Sequence, residues 1–273
     1  MLTELANVAD TICDECVRAV YGALPMLGES SAVQTKHDNP ADVVTVVDKA
    51  VQDAITRTLR SLRPGDGLIA EEQDQSTMGT SGVVWVCDPI DGTASLVHGG
   101  GSWCISIAAA SLDGESLVGI VADVQRSETF RAVKGQGSTL NGKPIRVSDT
   151  RKLEEAIIGT DFGHDRTQRI AQAERLGRVA SRCRATRNVG STVLHICWVA
   201  AGRLDGLYQT TTQWWDVAAS GLCVLEAGGI LSDLDGGAPQ VDAFVAATPG
   251  IHEELVAATA DSAAAPVSRG EAR

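Results

Sequence analysis

Positive charge is scarce in this 273-residue chain: 23 Lys and Arg face 35 Asp and Glu, a formal net charge of -12. The deficit excludes a broad phosphate-backbone surface, because nucleic-acid binding draws on clustered Lys and Arg. It leaves a small phosphorylated ligand open, since bound metal can make a local site positive on an acidic protein. No apolar run reaches the length of a membrane span. The opening stretch, MLTELANVADTICDEC, carries acids where a secretory signal has a basic and then an apolar region. The seven cysteines are odd in number and scattered, which fits reduced thiols and a cytoplasmic location. There is no internal repeat and no low-complexity linker, so the halves of the chain are expected to pack as one unit. An apolar share of 44% leaves ample material for a core.

Leu2, Leu5, Ala9, Ile12, Cys16 and Val20 recur at helical spacing and predict a helix running to about Pro25. A polar loop is expected from Lys36 to Asp42. A second helix follows, with Val47, Val51, Ile55, Leu59 and Leu62 on one face and RPGDG as its stop. GLIAEE, VVWVCDPI, SWCISIAAASL, SLVGIVADV and TFRAV are short apolar or alternating runs, and they predict an antiparallel sheet covered by the two helices. Beyond LNGKPIRVS, strands (EAIIGTDF, CRATR, LDGLYQ, DAFVAAT) alternate with helices (TQRIAQAERLGRVAS, STVLHICWVAAG, WDVAASGLCVLEAGG), which predicts a layered α/β half. The expected division is an N-terminal α+β half over 1–145, a C-terminal α/β half over 146–258, and a frayed tail over 259–273.

The chemistry concentrates in WVCDPIDGT, residues 85–93. A strand-like run ends at Asp88, Pro89 forces a turn, and Asp91 follows three residues on. Gly92 allows close approach of a ligand, and a helix starting at Thr93 would aim its free N–H groups at an anion. Hard cations such as Mg²⁺ take oxygen ligands of this kind and keep waters for a phosphate to share. Other acids stand at element ends: Glu71 and Glu72 close GLIAEE, Asp48 lies in DVVTVVD, and Asp216 opens WWDVAAS. Singly each has a plain reading, as a helix cap, surface charge or an Asx turn. Together they point to a multi-metal phosphate site.

AEE, WVCDPIDGTASLVHG and WWDVAASGLCVLEAGG resemble the patterns of the inositol monophosphatase family of magnesium-dependent, lithium-sensitive phosphatases, and within it the bacterial SuhB-type branch. The resemblance covers roughly residues 5–258 and extends through GIVADV, NGKPIRVS and VGSTVLHICWVAAGRLDGLYQ. It implies a layered αβαβα sugar-phosphatase fold and a homodimer. It implies that Glu71, Asp88 and the Ile90 carbonyl hold one Mg²⁺, that Asp88, Asp91 and Asp216 hold a second, and that Glu71 reaches a third. It assigns the phosphate to the Gly92 and Thr93 N–H groups. Glu71 and Thr93 would orient the attacking water, with Asp48 hydrogen-bonded to Thr93. Asp91, Gly190, Ser191, Thr192, Gln209 and Asp216 would meet the rest of the substrate. Inositol 1-phosphate is the implied substrate. The alternatives are histidinol phosphate, then fructose 1,6-bisphosphate and adenosine 3′,5′-bisphosphate; a regulatory binding role beside the transcription machinery is the non-enzymatic one. The chain departs from the family at Ala94, Ser95 and Leu96, at Gly99–Gly101, and at Gln209, where inositol phosphatases carry glutamate.

Some signals carry less. Cys13 and Cys16 form a C-x-x-C inside a predicted helix, with no second pair, and read as half-buried thiols. Gly135-x-Gly137 lacks the third glycine and the helix of a dinucleotide fingerprint. His98 and His195 have no ligand-spaced partners, and His195 reads as a satisfied core or interface histidine. Trp214 and Trp215 read as core residues, one of which could wall the cleft.

Overall fold

The structure is a computed structural model that describes residues 1–28, 32–36, 39–72, 76–163 and 165–260. The chain begins with α1 (Leu2–Ala23) and a short 3₁₀ turn, then β1 (Val33–Lys36), β2 (Asn39–Thr45) and α2 (Val46–Leu62). Next come β3 (Asp66–Ala70), β4 (Thr77–Gly79), β5 (Val83–Asp91), α3 (Thr93–Val97), β6 (Cys104–Ser111), β7 (Ser116–Asp123), β8 (Glu128–Val133), β9 (Ser138–Leu140) and β10 (Lys143–Pro144). The remainder comprises β11 (Ile157–Gly159), α4 (Arg169–Ala180), β12 (Ala185–Arg187), α5 (Thr192–Ala200), β13 (Gly206–Gln209), α6 (Trp214–Glu226), β14 (Ile230–Ser232), β15 (Phe244–Ala247) and α7 (His252–Thr259).

Five layers result. An eight-stranded sheet has the order β10-β9-β8-β7-β6-β5-β3-β4, and a five-stranded sheet the order β12-β11-β13-β15-β14. Strand alternation decides what covers each face. Trp85, Cys87, Ile105, Ile107 and Ile120 meet α1 and α2 on one side of the large sheet. Val84, Val86, Ala108, Val121 and Phe130 meet α5 and α6 on the other. Both faces of β5 are therefore buried, so it reads as an unbroken apolar run. Leu207 and Phe244 of the small sheet close the same inner core. Its outer face, with Ile158, Tyr208 and Val245, lies under α4 and α7. α6 crosses β7 at close range: a Cβ on Gly119 would sit 2.6 Å from the Ala219 carbonyl oxygen, so only glycine fits.

Some elements depart from the sequence reading. The segment expected as a polar loop, Lys36 to Asp42, overlaps an antiparallel pair, β1 with β2; its residues 37 and 38 lie outside the described ones. β3 runs parallel to β5 within the otherwise antiparallel large sheet, because β4 folds back beside β3 and the chain then crosses to β5. β14 and α7 were not anticipated, and α7 carries ordered helix to Thr259, one residue into the expected tail; residues 261–273 lie outside the described ones. Cys13 and Cys16 are fully buried and not half-buried. Burial pushes the Cys13 thiol up to about 12 and raises Cys16 well above its ordinary value, which makes both inert.

Candidate active site

The site is organised by one irregularity in β5. Asp88 pairs with Ser106 and Asp91 with Cys104, so β5 takes three steps where β6 takes two. That is a β-bulge, at the proline that cannot donate to the ladder. In a regular strand, residues three apart point to opposite faces. The extra residue resets the parity and turns Asp88 and Asp91 toward the same side, where α5 and α6 begin. Gly92 then takes φ 90° as the N-cap of α3. A Cβ there would lie 2.6 Å from the Ser102 carbonyl oxygen and 2.8 Å from that of Gly190.

Two helices deliver further acids by the same device. Thr45 caps α2 in a capping box with Asp48, whose Oδ2 accepts from Thr45 N at 2.8 Å. The other oxygen of Asp48 accepts from Thr93 Oγ1 at 3.0 Å, and the Ile90 carbonyl lies 2.9 Å from the same hydroxyl. Asp216 is the third residue of α6, where the cap is Gln213, and its Oδ2 accepts from Gln213 N at 2.7 Å. Glu71 follows β3. Parallel pairing of Ala70 with Cys87 brings Glu71 level with Asp88. Lys36 on β1 holds Glu71 at 2.8 Å and also pairs with Glu72.

One oxygen from each of Asp88, Asp91 and Asp216 lies within 4.8 Å of the others. The electrostatic consequence is severe. Burial, then the charges of Glu71, Asp91 and Asp216, pushes Asp88 well above the usual carboxylate range. Burial raises Asp91 to about 6 against the opposing hydrogen bonds from Ser191 and the Val193 N–H, and burial followed by the Asp91 charge raises Asp216. Asp88 Oδ1 is buried without a hydrogen-bond partner among the described residues. The protein holds Oδ2 of Asp91 and of Asp216, leaving the second oxygen of each uncommitted by any named bond. Hard oxygen donors in this arrangement fit a divalent cation.

The opposite wall comes from three parallel strands, β12, β11 and β13, whose C-terminal ends point the same way. Asp161 follows β11, Gly190 and Ser191 follow β12, and Gln209 ends β13. Ser191 caps α5 by accepting from Leu194 N at 3.1 Å, and its hydroxyl donates to Asp91. Gly190 N donates to Asp161 at 3.3 Å, and His195 Nδ1 meets the other Asp161 oxygen at 2.7 Å. The Gln209 amide is satisfied in one orientation, with Oε1 accepting from Thr192 Oγ1 at 3.1 Å and Asp161 N at 3.3 Å, and Nε2 donating to the Asp161 carbonyl at 3.2 Å. The acids proposed from sequence thus gather around β5, although Glu71 leans to Lys36 and stands outside the tight trio. Lys36, Thr45, Asp161 and the buried His195 pairing were not anticipated. Asp161 carries the signal that flagged Glu71 and Asp88: an acid just past a strand end.

A layered fold that focuses carboxylates on one strand end is the framework of phosphoric monoester hydrolases that work with metal ions, and this chain is one of them. The profile of the inositol monophosphatase family matches residues 1–265, and the chain belongs to that family. It is 36% identical over 271 residues to the inositol-1-monophosphatase SuhB of Mycobacterium tuberculosis, covering 93% of this chain and 92% of that protein. It is 36% identical over 227 residues to the Nus factor SuhB of Pasteurella multocida, covering 82% and 85%. The crystal structure of the extragenic suppressor protein SuhB from Bartonella henselae superposes with a TM-score of 0.87 at 29% identity, covering 93% of this chain and 98% of that one.

Proposed function

We propose that the protein hydrolyses inositol 1-phosphate, or a polyol phosphate of similar size, to the free alcohol and phosphate in the presence of Mg²⁺. The observation that carries this reading is the trio of buried Asp88 and half-buried Asp91 and Asp216, one carboxylate oxygen of each lying within 4.8 Å of the others. Two to three Mg²⁺ ions on Glu71, Asp88, the Ile90 carbonyl, Asp91 and Asp216 would supply an acidified water and positive charge for the phosphate oxygens. The remaining work falls to the chain. Gly92 and Thr93, at the start of α3, offer N–H groups without intrahelical acceptors to the phosphate. A hydroxyl has one proton: when Thr93 donates to Asp48, the Ile90 carbonyl is left free and the Thr93 oxygen can accept from the attacking water. Glu71 aligns that water from the other side once Lys36 passes to Glu72. Gly190, Ser191 and Thr192 wall the alcohol part, and Gln209 fixes Thr192 in that wall.

Phosphate release from inositol 1-phosphate, histidinol phosphate, fructose 1,6-bisphosphate and adenosine 3′,5′-bisphosphate, with and without Mg²⁺, tests the proposal. Inositol 1-phosphate should lead in kcat/KM, and Li⁺ should inhibit. Absence of metal-dependent hydrolysis of any phosphomonoester would sink it. The Pasteurella relative's name favours one second reading, a regulatory role beside the transcription machinery. A variant without turnover that still performed such a role would separate the two. We further propose a cytoplasmic homodimer. The seven cysteines are all free, which suits a reducing compartment, and light scattering on the purified chain tests the dimer.

A further inference from the structure

We infer that Asp161, and not Gln209, recognises the alcohol part of the substrate, by accepting hydrogen bonds from its hydroxyl or ammonium groups. The inference rests on the phosphatase reading of the site and adds a specificity residue to it. Gln209 stands where inositol phosphatases carry a hydroxyl-binding glutamate, yet its residue is 3% exposed. Both lone pairs of its Oε1 are taken by Thr192 Oγ1 and Asp161 N, and its Nε2 is turned to the Asp161 carbonyl. It has no acceptor left for a substrate.

The carboxylate of Asp161 is placed differently. Its side chain is 13% exposed, while that of His195 behind it is fully buried. His195 Nδ1 at 2.7 Å holds one oxygen in place, and Gly190 N at 3.3 Å makes a long contact to the other. On the far side of the ring, His195 Nε2 is buried and has no hydrogen-bond partner among the described residues. The carboxylate is thus braced from behind and under-used in front, next to the loop whose Ser191 touches Asp91. Phe162, the next residue, is 39% exposed, so the chain meets solvent at this point. A carboxylate acceptor with free lone pairs at the edge of a phosphate site discriminates by the donors on the alcohol, because the analogue without donors leaves that acceptor desolvated and unpaired.

The test is a ratio. For each enzyme, kcat/KM for inositol 1-phosphate and for histidinol phosphate is divided by kcat/KM for phenyl phosphate, whose alcohol part has no donors. In Asp161→Asn one or both ratios should fall about ten- to a hundred-fold. The larger fall identifies the donor, hydroxyl for the polyol or ammonium for the amino alcohol. A purely structural brace would lower all three activities together, so unchanged ratios overturn the inference. Asp161→Glu, which keeps the charge but moves it by a methylene, asks the same question if the asparagine variant does not fold; its ratios should also change, and ratios equal to wild type overturn the inference. Failure of the wild-type enzyme on all three substrates would instead defeat the phosphatase reading on which the inference stands.

Discussion

The two walls of the cleft handle negative charge in opposite ways. At the end of β5, Asp88, Asp91 and Asp216 crowd together, their carboxyls raised by burial and mutual repulsion, and Asp88 Oδ1 has no hydrogen-bond partner among the described residues. At the ends of β11, β12 and β13, Asp161, Gly190, Thr192, His195 and Gln209 are tied to one another by named hydrogen bonds. The first wall is strained until something positive arrives, and the second is already set. A site that does metal chemistry needs the first property. A site that chooses among alcohols needs the second, since donors and acceptors must be fixed before the substrate comes.

Removing a carboxylate from the crowded wall should have the largest effect. Asp88→Asn is expected to lower phosphate release at least about a thousand-fold, since several kcal/mol of transition-state stabilisation go with the lost ligand. The same change relieves repulsion, so the metal-free variant should melt no lower than the parent in calorimetry. Activity near normal would show that Asp88 is not at the chemical centre. Asp48→Asn probes the crowded wall one bond further out. It keeps the shape of the α2 cap but weakens the acceptor for Thr93 Oγ1, and a loss of about ten- to a hundred-fold in kcat is expected. If kcat holds while only stability drops, by about 1 kcal/mol, Asp48 serves the helix cap alone.

Much of the crowded wall could be read from sequence because its signals are local. Pro89 and Gly92 bracket the bulge within a few residues, and Asp216 announces itself as a helix start. α1 and α2 were legible for the same reason, each burying one apolar stripe. The preset wall was legible only in part: the resemblance named Gly190, Thr192 and Gln209, and nothing tied them to Asp161 or His195. It exists because β11, β12 and β13 pair in parallel, and the residues brought together, Asp161, Gly190 and Gln209, come from three separate βα units. His195 was hidden inside an apolar helix, where only the far carboxylate gives it a role. The β1–β2 pair was missed because it lies outside the large sheet and its strands, VQTK and NPADVVT, mix polar and apolar residues without regular alternation.

Metal removal sharpens the contrast with a smaller effect. The folded pKa of Asp91 is raised to about 6, and those of Asp88 and Asp216 are raised well above the usual carboxylate range. From about pH 4, the unfolded value, upward through 6, the folded metal-free protein therefore holds more protons than the unfolded chain. Its stability must fall as pH rises through that window, and this contribution is fully present only below it. Mg²⁺ at roughly a hundred times its Kd should add about 2.7 kcal/mol, or about 5–10 °C in Tm, at neutral pH and less at pH 5. Melting curves with Mg²⁺ and with chelator, at both pH values, check the sign. A Mg²⁺ gain that does not shrink on acidification would mean that the trio is not the cation site.

The smallest expected effect tests whether the second wall is as closed as its bonds suggest. Gln209→Glu restores the residue common in inositol phosphatases, so a substrate-facing side chain would become a better acceptor and raise the preference for inositol 1-phosphate. A buried one cannot. The new carboxylate would keep the bonds from Thr192 Oγ1 and Asp161 N but would set an oxygen against the Asp161 carbonyl, where Nε2 now donates. It would also add charge beside the Asp161 carboxylate. The loss of one donor and the uncompensated charge should cost about 1–2 kcal/mol, a fall of about 2–8 °C in Tm. The ratio of kcat/KM for inositol 1-phosphate to that for phenyl phosphate should stay at or below the parent's. A rise in that ratio without loss of stability would show that residue 209 turns outward when substrate binds, and would hand the selecting role back from Asp161 to Gln209.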